Sequence, residues 1–486
     1  MYLTAGQAAR ATYTVATPGN RVVYREPRKL KGARTMAKTL RTDANTLAGE
    51  ARALLERLCR QPSVAAQGLG IGAMADLVEG LLAETGFRTQ RFAIADAPPI
   101  VFGELAGGPF TVLLYDHYDV QPAEPLELWE SPPFAPEVRD GKLYGRGTSD
   151  DKGEIATRLT AIRALRAELS ELPITIKWII EGEEEIGSPH FEEIIAPHAG
   201  KLAADGCLWE GAGFEPDGRP ALVLGSKGLL YVQLDVQGIG MDAHSGAAPI
   251  LPSAAWRLVQ ALATLKGPDG RVRIPGFYDA VRAPTAAELH ALREQPEHDE
   301  IYKRIYGIER FVDDLAGFEL RRRQAFTPTC NIAGLVSGYT GEGSKTVLPA
   351  RASAKIDFRL VPDQRPDDIL AKLKAHLEAE GYTDIRVTVF GHAEPVVTPI
   401  EDAFAQRVLA IAEAFAGKPA SVGPISGGTL PLLGALRRHV GVPGLSAPGD
   451  PVYWANGAHA PNEHVRLDDL REAVRFNAHL FQALGE

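Results

Sequence analysis

Short apolar runs alternate with helical stretches through the first half of the chain, and this alternation restricts the fold more than any other feature. Residues 87–92, 100–105, 110–115 and 174–180 read as strands, with the run at 110–115 central. Residues 43–59, 73–84 and 150–168 carry apolar side chains at helical spacing, such as Ile155, Leu159, Ile162 and Leu165. Strands that take turns with helices predict an α/β sheet covered on both faces.

The character changes near Gly225. Two alternating strands at 229–236 and 352–360, a helix at 254–265, a helix at 366–381 and a strand at 385–390 predict an α+β insert. A charged, irregular stretch is expected at 276–324, and the chain returns to the first unit with helices at 400–415 and 467–484. The expected division is a first unit over 36–225 and 392–486, with an inserted unit over 226–391. The length of 486 residues suits two domains.

A net charge of −10 argues against nucleic acid or an anionic membrane as the main partner. Three scattered cysteines exclude a disulfide framework and a thiolate-rich zinc site. No apolar run reaches the ~18 to 20 residues that span a bilayer. Residues 1–35 hold seven Arg and Lys against one acid, Glu26, without the serines of a transit peptide. They are expected to be a disordered tail or an overlong start, and the protein is expected in the cytoplasm.

Five short segments could carry chemistry. His117 lies in Asp116-His117-Tyr118-Asp119, just past a strand, where Asp119 could fix its tautomer. Asp150 lies in Gly145-Arg146-Gly147-Thr148-Ser149-Asp150-Asp151-Lys152-Gly153; this run lacks the spacing of a phosphate loop, and its acids would repel a phosphate. Glu184 and Glu185 leave the strand at 174–180, Glu210 ends another apolar stretch, and His459 precedes the last helix. Each alone has a plain structural explanation, as a surface histidine, a helix cap or a solvated acidic turn. Together, two histidines and several carboxylates without thiolates match catalytic divalent metals.

In order and context these segments resemble the dinuclear zinc metallopeptidases that include aminoacylase, glutamate carboxypeptidase and the carnosinase-type dipeptidases. Further likeness lies in Trp129, Pro133-Phe134, Lys345-Thr346-Val347, Phe358-Arg359-Leu360-Val361-Pro362 and His459-Ala460-Pro461-Asn462-Glu463. The resemblance implies a phosphorylase/hydrolase-like catalytic domain with a mixed sheet, plus a lid that also forms a homodimer. It implies two divalent metals, most simply zinc, with manganese or cobalt also fitting. Asp150 would bridge them, His117 and Glu210 completing one site and Glu185 and His459 the other. Glu184 would be the general base, Asp119 the partner of His117, and the Asp150–Asp151 peptide cis. His244, from Asp242-Ala243-His244-Ser245-Gly246, would reach the partner subunit's site, while Thr346, Arg359, Gly428 and Thr429 would hold substrate. Where the dipeptidases carry Arg-Glu before Gly-Gly-Ser, this chain has Ile425-Ser426 before Gly427-Gly428-Thr429. The expected activity is hydrolysis of a dipeptide or small peptide. An N-acyl or N-carbamoyl amino acid is the alternative substrate, and an inactive binding or scaffold relative the contrasting reading.

Overall fold

The computed structural model describes residues 12–17, 20–25, 42–453 and 455–486. The segment expected to be a tail lies mostly outside these residues; within it, Thr12–Thr17 and Asn20–Arg25 pair as an antiparallel hairpin.

An eight-stranded mixed sheet forms the larger layer. Its strand order is Ser421–Gly423, Ala221–Val223, Gly444–Ser446, Gly206–Trp209, Phe110–His117, Ile174–Glu181, Ile100–Leu105 and Arg88–Phe92. Phe110–His117 runs parallel to both of its neighbours, Ile174–Glu181 and Gly206–Trp209. Their carboxyl ends therefore reach the same edge, where open α/β sheets place their ligands. Helices Ala44–Arg60, Lys152–Glu168 and Leu467–Ala483 pack on one another, and their apolar stripes join the core of the sheet. Asp43 starts the first of these by accepting the Asn45 and Thr46 amides, an ordinary N-cap.

A four-stranded antiparallel sheet, ordered Asn331–Ser337, Arg351–Leu360, Gly228–Gln237 and Arg386–Ala393, has its own core. Burial alternates along Gly228–Gln237, and the inward residues Leu230, Val232, Leu234 and Val236 meet helices Ala254–Leu265 and Pro366–Ala379. The stretch expected to be irregular contains helices Ala286–Glu294, Asp299–Tyr306 and Gly317–Phe326. The helical period is weak in Ala286–Glu294 and Gly317–Phe326, and Asp299–Tyr306 is amphipathic but spans only eight residues and buries none of them. The chain crosses between the two cores twice, and the crossings Gly225–Ser226 and Val396–Val397 pair as a short antiparallel ribbon.

Candidate metal centre

His117 is the last residue of its strand and is fully buried. The neighbouring parallel strand ends at Glu181, and a 3-10 turn at Glu184–Ile186 follows it. Glu210 comes directly after Gly206–Trp209. Asp150 lies two residues before helix Lys152–Glu168 and is followed by a cis Asp150–Asp151 peptide, and neither aspartate side chain caps that helix. His459 adopts a left-handed backbone with φ 63°, uncommon for a non-glycine residue.

The five candidate ligands converge from these five segments. His117 Nε2 is 3.0 Å from Asp150 Oδ1 and 3.2 Å from Glu210 Oε2. On the other side, His459 Nε2 is 3.1 Å from Asp150 Oδ2 and 3.2 Å from Glu185 Oε2. Asp150 thus offers one oxygen to each histidine. Asp119 faces the far ring nitrogen of His117: its carbonyl is 3.1 Å and its Oδ1 3.4 Å from Nδ1. The same carboxylate accepts the Glu184 amide at 3.2 Å and the Glu185 amide at 3.0 Å.

This donor set fits divalent cations. If Nδ1–H of His117 donates to Asp119, the Nε2 lone pair faces two carboxylate oxygens, an arrangement that requires a positive charge between them. Glu210 Oε2 is buried and makes no well-formed hydrogen bond. Without metal, protons supply that charge. Burial opposes ionisation of His117, yet the Glu210 charge and hydrogen bonding with Asp119 and Asp150 raise it well above the usual range. Hydrogen bonds to Asp150 and Glu185 raise His459 to about 10. Burial, reinforced by Glu210, Asp150 and Glu185 and opposed by His117, holds the Glu184 carboxyl well above its ordinary value.

Sequence reasoning assigned no role to the groups that hold these residues in place. Glu463 is fully buried; its Oε2 accepts Arg146 Nη1 at 2.7 Å and the Gly147 amide at 2.9 Å. Its Oε1 accepts the Ser149 and Asp150 amides at 2.9 and 3.1 Å. One carboxylate therefore clamps the Asp150 loop to the His459 loop. Gln121 donates to Glu185 Oε2 at 2.7 Å. Asp151 accepts the His117 amide at 3.1 Å, and Arg158 donates to Asp116 at 2.7 Å. Glu463 and Arg146 both stand within the segments quoted above, but nothing local in either segment marks the other as its partner.

The remaining expected residues form two separate groups. Arg359 Nη1 donates to Thr429 Oγ1 at 2.8 Å, and the Gly428 carbonyl accepts the Lys227 amide at 3.0 Å. His244 is exposed and pairs with Val347 in a short ribbon, where the Thr346 carbonyl accepts the Ser245 amide at 3.3 Å. No hydrogen bond or ion pair joins His244 or Thr346 to the five candidate ligands among the described residues.

A thiolate-free cluster of histidines and carboxylates at the carboxyl edge of a mixed sheet, beside a second α+β core, defines an α/β protein built around a candidate metal centre. Residues 113–483 match Peptidase family M20/M25/M40, and the chain belongs to that family. A Beta-Ala-His dipeptidase of Rattus norvegicus is 34% identical over 288 residues, 58% of this chain and 58% of its own length. The chain thus spans under two thirds of that relative. The crystal structure of an M20 family metallo-carboxypeptidase from Sulfolobus solfataricus superposes with a TM-score of 0.85 at 34% identity, covering 90% of this chain and 99% of that one. Human carnosine dipeptidase 1 superposes with a TM-score of 0.77 at 25% identity, over 91% and 98%. These likenesses extend to the catalytic core and the second core together, as the family resemblance implied.

Proposed function

We propose that the protein is a metal-dependent hydrolase of dipeptides or small peptides. The observation that carries this is the sharing of Asp150 between two histidine–carboxylate groups, His117 with Glu210 and His459 with Glu185. Each group would hold one divalent cation, zinc in the simplest case and manganese or cobalt by the same ligands. Such cations lower the pKa of a water and polarise the scissile carbonyl. Glu184, half-buried beside the candidate ligands, takes the proton from the attacking water and returns it to the leaving amine. Asp119 keeps His117 and Glu184 in register through the contacts described above.

Residues 36–225 and 392–486 form the catalytic unit in this reading, and 226–391 the lid. Arg359, Thr429 and Gly428 grip the substrate carboxylate, since a guanidinium beside a hydroxyl suits bidentate recognition. His244 and Thr346 serve the active site of a second copy, which makes the working form a homodimer. Their exposure supports this, as does the edge strand Asn331–Ser337 with exposed Ile332, Leu335 and Val336. The buried, unpaired Cys59, Cys207 and Cys330 suit a reducing compartment such as the cytoplasm.

The test is Glu184→Gln. Loss of a positioned general base costs about 10²- to 10⁴-fold, so dipeptide turnover should fall by that factor while metal content stays near two per chain. Retained turnover would sink the assignment. Hydrolysis of N-acyl or N-carbamoyl amino acids in place of dipeptides would favour the second reading, which the uncharged Ile425-Ser426 pair leaves open.

A further inference from the structure

Lys227 follows the crossing Gly225–Ser226 and directly precedes the strand Gly228–Gln237 of the small sheet. It is only 4% exposed, yet among the described residues it has no ion-pair partner. Its Nζ donates to the Thr327 carbonyl at 2.8 Å. Thr327 is the C-cap of helix Gly317–Phe326, a place where a lysine is favourable. One carbonyl dipole answers a buried ammonium only in part.

Arg359 is the neighbouring cation. Its strand pairs with Gly228–Gln237 so that Leu360 stands opposite Gly228 and Arg359 opposite Leu229. The Arg359 carbonyl accepts the Thr329 amide at 2.9 Å, and the Arg359 amide donates to Thr329 Oγ1 at 3.2 Å. Both cations thus meet the segment 327–329. Both also meet the loop 427–429, since the Lys227 amide donates to the Gly428 carbonyl at 3.0 Å and Arg359 Nη1 to Thr429 Oγ1 at 2.8 Å. Burial, aided by the Arg359 charge, pushes the Lys227 ammonium down to about 8. The acid nearest the pair is Asp357, whose Oδ1 is 3.8 Å from Arg359 Nε and whose Oδ2 accepts Asn331. Two cations against one loosely placed carboxylate leave positive charge in excess. Gly427 and Gly428 are exposed, and a Cβ at Gly428 would meet nothing beyond its chain neighbours nearer than Ser426 Oγ at 3.9 Å. An anion has room beside this loop.

We infer that Lys227 is a second cation of the substrate grip and binds the terminal carboxylate together with Arg359. The inference rests on the peptidase reading of the site and adds a residue to it. Two like charges at close range, one of them desolvated, are costly in the empty site. An arriving carboxylate removes the repulsion and supplies the missing counter-charge. Charge-assisted hydrogen bonds are about twice as strong as neutral ones, so the grip discriminates by charge at the end of the substrate. A free acid is accepted, and the carboxamide of the same shape is refused.

The experiment compares kcat/KM for Ala-Ala and its carboxamide with the full chain loaded with zinc, manganese or cobalt. Wild type is expected to favour the acid by about a hundredfold or more, roughly tenfold from each cation. Lys227→Gln removes the charge but keeps a donor for the Thr327 carbonyl. It should cut the acid-to-amide ratio about tenfold, chiefly through KM, whereas Lys227→Arg should retain more of the ratio. Arg359→Ala leaves Lys227 in place and should still favour the acid about tenfold, a measurement that stands if the Lys227 variants fail to fold. An equal fall for acid and amide in Lys227→Gln would mark a purely structural lysine and overturn the inference. Loss of all preference in folded Arg359→Ala would overturn it as well. Hydrolysis of neither compound by wild type would instead overturn the peptidase reading beneath it.

Discussion

Asp119 touches three candidate site residues at once: it faces His117 Nδ1 and accepts the amides of Glu184 and Glu185. Glu463 plays the matching part for Asp150, and its environment is more demanding because Arg146 is buried with it. Leaving one member of such a pair alone costs about 3 to 5 kcal/mol. Glu463→Leu is therefore expected to lower stability in urea by about that much and to weaken the metal site shared by Asp150 and His459, read by metal titration. Metal affinity equal to wild type in folded protein would contradict this. His459 gives a pH prediction. Its folded pKa of about 10 lies above the ordinary 6.5, so its stabilising effect is complete below pH 6.5 and is lost as pH rises toward 10. Half exposure keeps the effect modest. In chelated protein the urea midpoint should decline across that window, and less so in His459→Asn. The ligands themselves were legible because each ends or follows a readable element, whereas the clamps were not. Glu463, Gln121 and Asp151 act through backbone amides or other side chains, and no local pattern announces which carboxylate a distant loop will meet.

At the scale of elements, the core pieces were the readable ones. Residues 254–265 read as a helix and form Ala254–Leu265; the strand read at 174–180 extends one residue further, to Glu181. Burial on one face or both imposes a period that the sequence must carry. Strands of three residues such as Ala221–Val223, Ser421–Gly423 and Gly444–Ser446 are too short to show one, and they were missed. The strand Ile174–Glu181 also depends on what comes after it. A Cβ at Gly182 would lie 2.3 Å from the Tyr118 ring, which is fully buried next to His117. Overpacking of this kind costs about 1 to 3 kcal/mol. Gly182→Ala should lower thermal stability accordingly and disturb the His117 side of the metal site, visible as altered absorption of cobalt-loaded protein. An unchanged melting temperature would refute the steric argument.

For the whole molecule, the division of labour between two cores has a measurable sign. The five candidate ligands belong to the large sheet and its loops, whereas Arg359 stands on the small sheet and reaches across to Thr429. Arg359→Ala should therefore raise KM for dipeptides while metal affinity stays constant, with kcat/KM falling roughly 10- to 100-fold if a charged hydrogen bond of about 1.5 to 3 kcal/mol is lost. A fall in metal affinity would place Arg359 elsewhere. Metal removal should act in the opposite manner. Cations that bind only the folded state stabilise it by mass action, so chelation should lower the melting temperature of wild type and Arg359→Ala alike.

The clamp of Glu463 on the Asp150 loop joins residues more than three hundred positions apart. A ribosome therefore finishes His117, Asp150, Glu185 and Glu210 long before it adds His459, the last member of the second candidate group, and Glu463, which clamps the Asp150 loop. Nascent chains should be hydrolytically silent until those late residues have emerged and docked, a timing device that requires no separate inhibitor.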